Sequence, residues 1–247
     1  MEISVLASGS NGNCCLVEDK NTSILIDAGK SGREIEFRMD KLGKNMENVD
    51  AILLTHSHHD HTAGAGVLSR RYNVPVYITS KVYSEVRFKL GDIDRKTFFL
   101  DKSFKIKNLL VKPIATSHNV PSCGFVINKK FGLFTDTGHA TVQMKNSISK
   151  LKAVFIESNH DIDMLINGPY PAFLKQWILS SQGHLSNIDA SSLIQSKGKN
   201  LSLALLGHLS GNNNTVEVAS KTFESLVKRK ISFSVCSREE VSGKFEV

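Results

Sequence analysis

The chain lacks the marks of several protein classes. Its four cysteines, Cys14, Cys15, Cys123 and Cys236, form no Cys-x-x-Cys pair. That argues against a disulfide-framed secreted domain and for reduced thiols in a cytoplasmic protein. A strand-like segment starts at Glu2 with no basic leader or long apolar h-region before it, so no signal peptide is expected. The longest apolar stretches are strand-sized, too short for a membrane span. No repeat, low-complexity tract or linker interrupts the 247 residues, and that length fits one domain over 1–247.

What is present is a 40% hydrophobic chain with 31 Lys+Arg against 24 Asp+Glu, a formal charge of +7. The basic excess favours an anionic partner such as nucleic acid or a phosphorylated substrate. Its residues are scattered, however, and no binding face can be drawn from them.

The first third reads as short strands, Ile3–Ala7, Cys14–Glu18 and Ser23–Ile26, parted by turn-rich Ser8–Asn13 and Asp19–Asn21. A helix is predicted over Gly32–Leu42, capped by Ser31. Then come a buried-type strand at Ala51–Leu54, a helix over Thr62–Tyr72 and a strand at Val76–Ile78. Further strands are expected at Thr97–Leu100, Leu109–Ala115, Gly124–Ile127, Leu133–Thr135, Ala153–Ile156, Leu201–Leu206 and Ile231–Val235. Helices are expected near Ala140–Ser149, Asp161–Ile166, Ala172–Ser181, Ile188–Gln195 and Val216–Lys228. Strands in both halves, with helices between them, suggest an α/β protein of two mixed sheets packed face to face with helices on the outer faces. Several strands end at a potential ligand, and such ends converge where sites are built.

The strongest signal is His56-Ser57-His58-His59-Asp60-His61, directly after a buried strand. Divalent metals need imidazoles and carboxylates at about 2.0–2.2 Å. His56 and His58, two apart in an extended segment, point the same way. Asp60 and His61 lie where the chain turns toward a helix, which aims them at a second ion; Asp60 can also serve as the helix N-cap. His59 is read as facing away or as lying behind the ligands without touching an ion. Other strand ends offer His118, Asp136 and His208. A natural sharing gives one ion His56, His58 and His118, the other Asp60, His61 and His208, and lets Asp136 bridge both. Two open ions lower the pKa of a bridging water and clamp the attacked and leaving oxygens. Asp27, at the end of the strand over Ile24–Ile26, is placed to orient the histidine loop, or is an ordinary strand-end turn residue.

The His-x-His-x-Asp-His loop, with His118, Asp136 and His208 behind it, resembles the metallo-β-lactamase superfamily over essentially the whole chain. The resemblance implies an αβ/βα metallo-β-lactamase sandwich with a dinuclear site on one rim. Ser8–Asn13, Thr135–Gly138, Glu157–Asp161, Gly183–Asn187 and Gly207–Ser210 with Asn212-Asn213 are similar to the YycJ/WalJ type within it. That likeness implies a 5′→3′ exonuclease on DNA using two Zn²⁺ or Mn²⁺ ions. By likeness to ribonuclease Z, His184 would protonate the leaving oxygen and Glu157 would orient it, while Asp60 joins the catalytic ions. The Ser8–Asn13 loop suits a backbone nest for a 5′-phosphate through Ser8, Ser10 and Asn11, although it is also an ordinary turn composition. Asn159 and His160, directly after Glu157, are candidate contacts to substrate or to metal-site groups; His160 is equally readable as structural. The rival functions are a small-molecule hydrolase of the same fold, acting on a cyclic phosphodiester, thioester or lactam, and a ribonuclease.

Overall fold

The structure is a computed structural model that describes residues 1–247. The elements are β1 (Glu2–Ala7), β2 (Cys14–Asp19), β3 (Thr22–Ile26), α1 (Gly32–Asp40), β4 (Ala51–Leu53), α2 (His59–Thr62), α3 (Ala65–Tyr72), β5 (Val76–Ile78), α4 (Ser80–Leu90), β6 (Arg95–Thr97), β7 (Phe104–Ile106) and β8 (Leu109–Ala115). After these come β9 (Cys123–Ile127), β10 (Phe131–Phe134), α5 (Val142–Ile148), β11 (Ala153–Glu157), α6 (Ile162–Asn167), α7 (Ala172–Ile178), α8 (Asn187–Lys197), β12 (Leu203–Gly207), α9 (Val216–Leu226), β13 (Ser232–Val235) and β14 (Lys244–Glu246). No helix is long and apolar enough to cross a membrane.

The strands form two seven-stranded sheets, ordered β14-β1-β2-β3-β4-β5-β6 and β13-β12-β11-β10-β9-β8-β7. Both are mixed. In the first, β14, β1, β2 and β3 run antiparallel to their neighbours, whereas β3 through β6 are parallel. In the second, β10 through β13 are parallel and β9 meets β10 antiparallel. Parallel neighbours require crossover segments, which the helices supply.

The chain falls into two compact units, Met1–Pro113 with Ser237–Val247, and Ile114–Cys236. In the first unit, α1, α3 and α4 turn Ile35, Met39, Ala65, Leu68, Val82, Val86 and Leu90 into one core with Leu16, Leu25, Ile52 and Val76 of the strands. In the second, Met144, Ile148, Ala190, Ile194 and Phe223 of α5, α8 and α9 pack with Phe134, Val154, Ile156 and Leu206. The buried strands β3, β4, β9, β10, β11 and β12 show no polar face, the pattern of strands covered on both sides.

Several elements differ from expectation. The helix expected over Thr62–Tyr72 is two helices, α2 and α3, with Gly64 between them donating its N–H to Ala28 O at 2.8 Å. Asp60 is not the N-cap: that position falls to His58, and Asp60 lies in the first turn of α2. The strand expected at Thr97–Leu100 is instead Arg95–Thr97. Its partner β5 ends at Ile78, opposite Thr97, so the next residues have no strand to join. Helix α4 lies where the sequence pattern assigned no element. Thr79 caps it by accepting from Val82 N, and Gly91 closes it at φ 69°, a left-handed position that glycine takes without strain.

Three strand-end residues share a left-handed backbone: Asp27 (φ 61°), Asp136 (φ 50°) and His208 (φ 57°). Each costs about 1 kcal/mol or more for a residue with a Cβ. All three carry a metal-capable side chain or support one.

Candidate metal centre

In the first unit the histidine loop follows β4 and is held from behind. Asp27 Oδ1 accepts the N–H of Thr55 at 2.9 Å, and Asp27 Oδ2 lies 2.7 Å from Nδ1 of His61. The Thr55 hydroxyl reaches both carboxylate oxygens of Asp27, at 3.0 and 2.9 Å, and also stands 2.9 Å from Nδ1 of His56. A hydroxyl that donates to the carboxylate accepts from His56. Both histidines are thereby fixed with the proton on Nδ1 and the Nε2 lone pair facing forward, the tautomer a metal ligand needs. Asp27 is the orienting carboxylate, and Thr55, which the sequence reading passed over, extends its reach to a second imidazole.

His56 Nε2 lies 3.0 Å from His58 Nδ1. Two nitrogens each about 2.0–2.1 Å from one tetrahedral ion stand about 3.4 Å apart, so the pair needs only a small adjustment to share one. His61 Nε2 is 3.5 Å from Asp60 Oδ2. His59 is exposed, as expected of a residue facing away.

Asn13 is a second residue whose part in the site the sequence pattern does not reveal. Its Nδ2 lies 3.0 Å from His61 Nε2 and 3.3 Å from Asp60 Oδ2, and its backbone N–H donates to Asp60 O at 2.7 Å. Its Oδ1 accepts from Gly9 N at 3.0 Å while Nδ2 also donates to Gly9 O at 3.1 Å. The only signal for this role was the two-sided hydrogen-bonding capacity of an Asn in a turn-rich loop. Of the residues proposed as a phosphate nest, Ser8 is fully buried, whereas Ser10 and Asn11 are exposed. Gly29 completes the cradle, since a Cβ there would stand 1.6 Å from Asp60 O.

In the second unit, Asp136 Oδ1 lies 3.7 Å from Nε2 of His118 and 3.6 Å from Nε2 of His208. These separations exceed hydrogen-bond length, yet both imidazole nitrogens face the same carboxylate oxygen, as expected of a carboxylate placed between metal ligands. The Nδ1 of His118 faces Gly183 O at 3.3 Å and that of His208 faces Glu157 Oε1 at 2.8 Å, which again leaves Nε2 forward. Ligand atoms of Asp136, Glu157, His184 and His208 all lie within 4.8 Å of one another. The donor set therefore fits divalent metal.

Glu157 is fully buried and fully used. Oε1 also meets His184 Nδ1 at 2.6 Å, and Oε2 accepts from Thr137 N at 2.9 Å and Leu185 N at 3.4 Å. Burial raises its pKa, but the charge and hydrogen bonds of His184 and His208 outweigh it and hold the carboxyl below the usual range. His184 is positioned from behind as well: its N–H donates to Ile178 O at 3.0 Å.

Asn159 and His160 lie inside the protein, 4% and 1% exposed, rather than on a substrate surface. Asn159 Nδ2 donates to His208 O at 2.9 Å and its own carbonyl accepts from Ser210 N at 2.8 Å, so it clamps the left-handed turn that carries His208. Neither ring nitrogen of His160 has a hydrogen-bond partner, and burial lowers its pKa to about 4. Around them, Ser158, Asn187 and Asn214 form a buried amide network: Ser158 Oγ donates to Asn187 Oδ1 at 2.6 Å, and Asn214 Nδ2 donates to Ser158 O at 2.8 Å and to Asn187 Oδ1 at 2.9 Å. It ties the end of β11 to the start of α8.

Comparison with known proteins places this arrangement. The family profile of the metallo-beta-lactamase superfamily matches residues 7–164. The chain is 36% identical over 229 residues to "Exodeoxyribonuclease WalJ" of Streptococcus pneumoniae serotype 2, covering 89% of this chain and 85% of that protein. It is also 36% identical over 241 residues to "Exodeoxyribonuclease YycJ" of Bacillus anthracis, covering 93% and 90%. Among solved structures, the metallo-beta-lactamase fold protein YhfI from Bacillus subtilis superposes with a TM-score of 0.78 at 16% identity, covering 98% of this chain and 99% of that one. Two mixed sheets with their helices, a histidine–aspartate donor set and this match together establish that the chain belongs to the metallo-β-lactamase superfamily.

Proposed function

We propose that the chain is a metal-dependent 5′→3′ exonuclease acting on DNA with a 5′-phosphate end, in the cytosol. The observation that carries this reading is the 2.6 Å contact between Glu157 Oε1 and His184 Nδ1. The contact pins the imidazole through Nδ1 and leaves Nε2 to exchange a proton. Cleavage of a phosphodiester releases a sugar alkoxide, which needs a proton donor. The thiolate of a thioester leaves without one, so the pair favours the phosphodiester over the thioester, while a lactam nitrogen would also need a proton and is set aside on the relatives alone. The two relatives named as exodeoxyribonucleases, each similar over about nine-tenths of this chain, support DNA as the substrate.

In this reading His56, His58 and His118 hold one divalent ion, Asp60, His61 and His208 hold the other, and Asp136 serves both. When bound, such a Zn²⁺ or Mn²⁺ pair supplies an acidified water and offsets charge on the phosphate oxygens. The rest falls to the chain. Asp27 and Thr55 keep His56 and His61 in the binding tautomer, Asn13 steadies Asp60, and Asn159 holds the turn at His208. Glu157 fixes both His208 and His184. Ser10 and Asn11, the exposed part of the Ser8–Asn13 loop, are assigned to the terminal phosphate.

The test is direct. Purified protein is incubated with Mn²⁺ or Zn²⁺ and end-labelled DNA carrying a 5′-phosphate, beside matched RNA and a chromogenic phosphodiester. Mononucleotides released stepwise from the 5′ end of DNA are expected. Turnover of the small ester alone, or of RNA alone, would overturn the reading.

A further inference from the structure

We propose that Trp177, with Phe173 one helical turn before it, forms a stacking platform for the terminal nucleobase of the bound DNA strand. The inference rests on the nuclease reading and deepens it by naming the part of the substrate gripped beside the cleaved bond.

Trp177 is the sole tryptophan of the chain. Its ring stands 5.3 Å from that of His184 at an interplanar angle of 87°, and 6.1 Å from that of His118 at 53°. It thus borders both a proton donor and a metal ligand, and it remains only half-buried. Phe173 is 73% exposed, and a spacing of four along α7 brings it to the same helix face. Helix α7 buries only Ile178. Neither aromatic is buried in a core, and an exposed Phe173 beside a half-buried Trp177 at the edge of His184 marks a binding surface.

The helix is also locked to the acid. His184 N–H donates to Ile178 O at 3.0 Å, and a Cβ on Gly183 would stand 2.2 Å from Ile178 O and 2.3 Å from Trp177 O. Only glycine lets the chain pass so close. Stacked on Trp177, a base would hold its sugar and phosphate at a constant offset from His184. An enzyme that removes nucleotides one after another needs a grip indifferent to sequence. Aromatic stacking provides it, because every base has a π-face. A small ester without a base gains nothing from this surface.

Because Trp177 stands alone, its fluorescence reads the site without labelling. The metal-loaded protein is titrated with a 5′-phosphorylated phosphorothioate oligonucleotide and with the same strand bearing an abasic 5′-terminal nucleotide. Quenching that saturates in parallel with binding is expected for the first strand, and its loss for the second. In cleavage assays, Trp177→Ala should weaken KM about 5- to 150-fold for a normal end, the range of a lost stacked base. The variant should no longer distinguish normal from abasic ends, and Trp177→Phe should restore most of the difference. Phe173→Ala, on an exposed position that folding does not need, should show a smaller effect in the same direction. Emission unchanged at saturation, or Trp177→Ala impairing both ends equally, would reduce the ring to a wall behind His184 and overturn the platform while leaving the nuclease reading intact. Failure of the wild-type protein to cleave DNA at all would instead overturn the nuclease reading.

Discussion

Asn13 Nδ2 lies 3.0 Å from Nε2 of His61. Through that one amide, the turn after β1 is tied to the metal loop 48 residues away. The same group reaches Asp60 Oδ2, and its carbonyl end is fixed by Gly9 N. Asn13→Ala removes the contacts that orient the Asp60 carboxylate and should lower metal affinity about 10- to 100-fold, the usual cost of losing a partner that orients a ligand. The contact with His61 Nε2, which uses the lone pair an ion would take, adds nothing to that affinity. Asn13→Asp keeps the acceptor for Gly9 but faces the Asp60 carboxylate with a second one, so the two variants should differ. Equilibrium dialysis against Zn²⁺ or Mn²⁺ measures this without any substrate. Wild-type affinity in Asn13→Ala would show that the loop merely borders the site.

His184 invites a leaving-group experiment. With DNA, the departing sugar oxygen needs a proton, and His184→Ala should lower kcat about 10²- to 10⁴-fold. With a nitrophenyl phosphodiester, whose leaving group departs unprotonated, the loss should be far smaller. Comparing kcat for the two substrates isolates the proton-donor role. An equal loss on both would show that His184 acts by shape or by support of its neighbours. Glu157→Gln should be harsher than His184→Ala, because Glu157 Oε1 also holds His208 Nδ1 at 2.8 Å.

How much of this was legible in the sequence depends on how local the signal is. The histidine run could be read because His56, His58, Asp60 and His61 carry their chemistry within six residues. Strands such as β5 and β8 were found with their observed limits because buried apolar runs are bounded by turn residues. Helix α4 escaped because only Val82, Val86 and Leu90 face the core, with charged residues between them. The short edge strands β7 and β14 escaped because pairing, not composition, defines a three-residue strand. Asn13, Thr55 and Asn159 act by hydrogen bonds to partners distant in sequence or to backbone carbonyls. No periodicity reports such contacts. The position of Asn159 directly after Glu157 suggests a contact either to substrate or to the metal site, and burial with the bond to His208 O selects the second.

Metal removal should be visible in stability. The donor atoms converge only in the folded chain, so ions that bind the native state stabilise it by mass action, by about 4 kcal/mol at a free concentration 1,000 times Kd for one site. Thermal unfolding with excess chelator, then with Mn²⁺ or Zn²⁺ restored, should show a Tm that rises with metal concentration. Asp136→Ala should flatten that rise. A Tm insensitive to chelator would argue that the donor set holds no ion tightly.

His160 provides a pH-dependent test of the interior. Its imidazole is buried, and burial lowers its pKa from 6.5 to about 4, against a smaller opposing pull from Glu157. Between those values an unfolded chain binds a proton at this position that the folded chain does not. Stability must therefore rise with pH through that window, level off above about 6.5, and lose the dependence below about 4. A shift of this size is worth on the order of 3 kcal/mol across the window. Other carboxylates and histidines titrate in the same range, so the informative quantity is the difference between wild type and His160→Gln. Urea unfolding at pH 4.5 and pH 7 should show the variant losing less stability on acidification than wild type. Because His160 lies just after Asn159, whose side chain holds the His208 turn, the variant should keep its metal affinity at pH 7 if the histidine is a packing residue. Equal acid sensitivity in the two proteins would mean that His160 takes up its proton in the folded state, against the burial seen here.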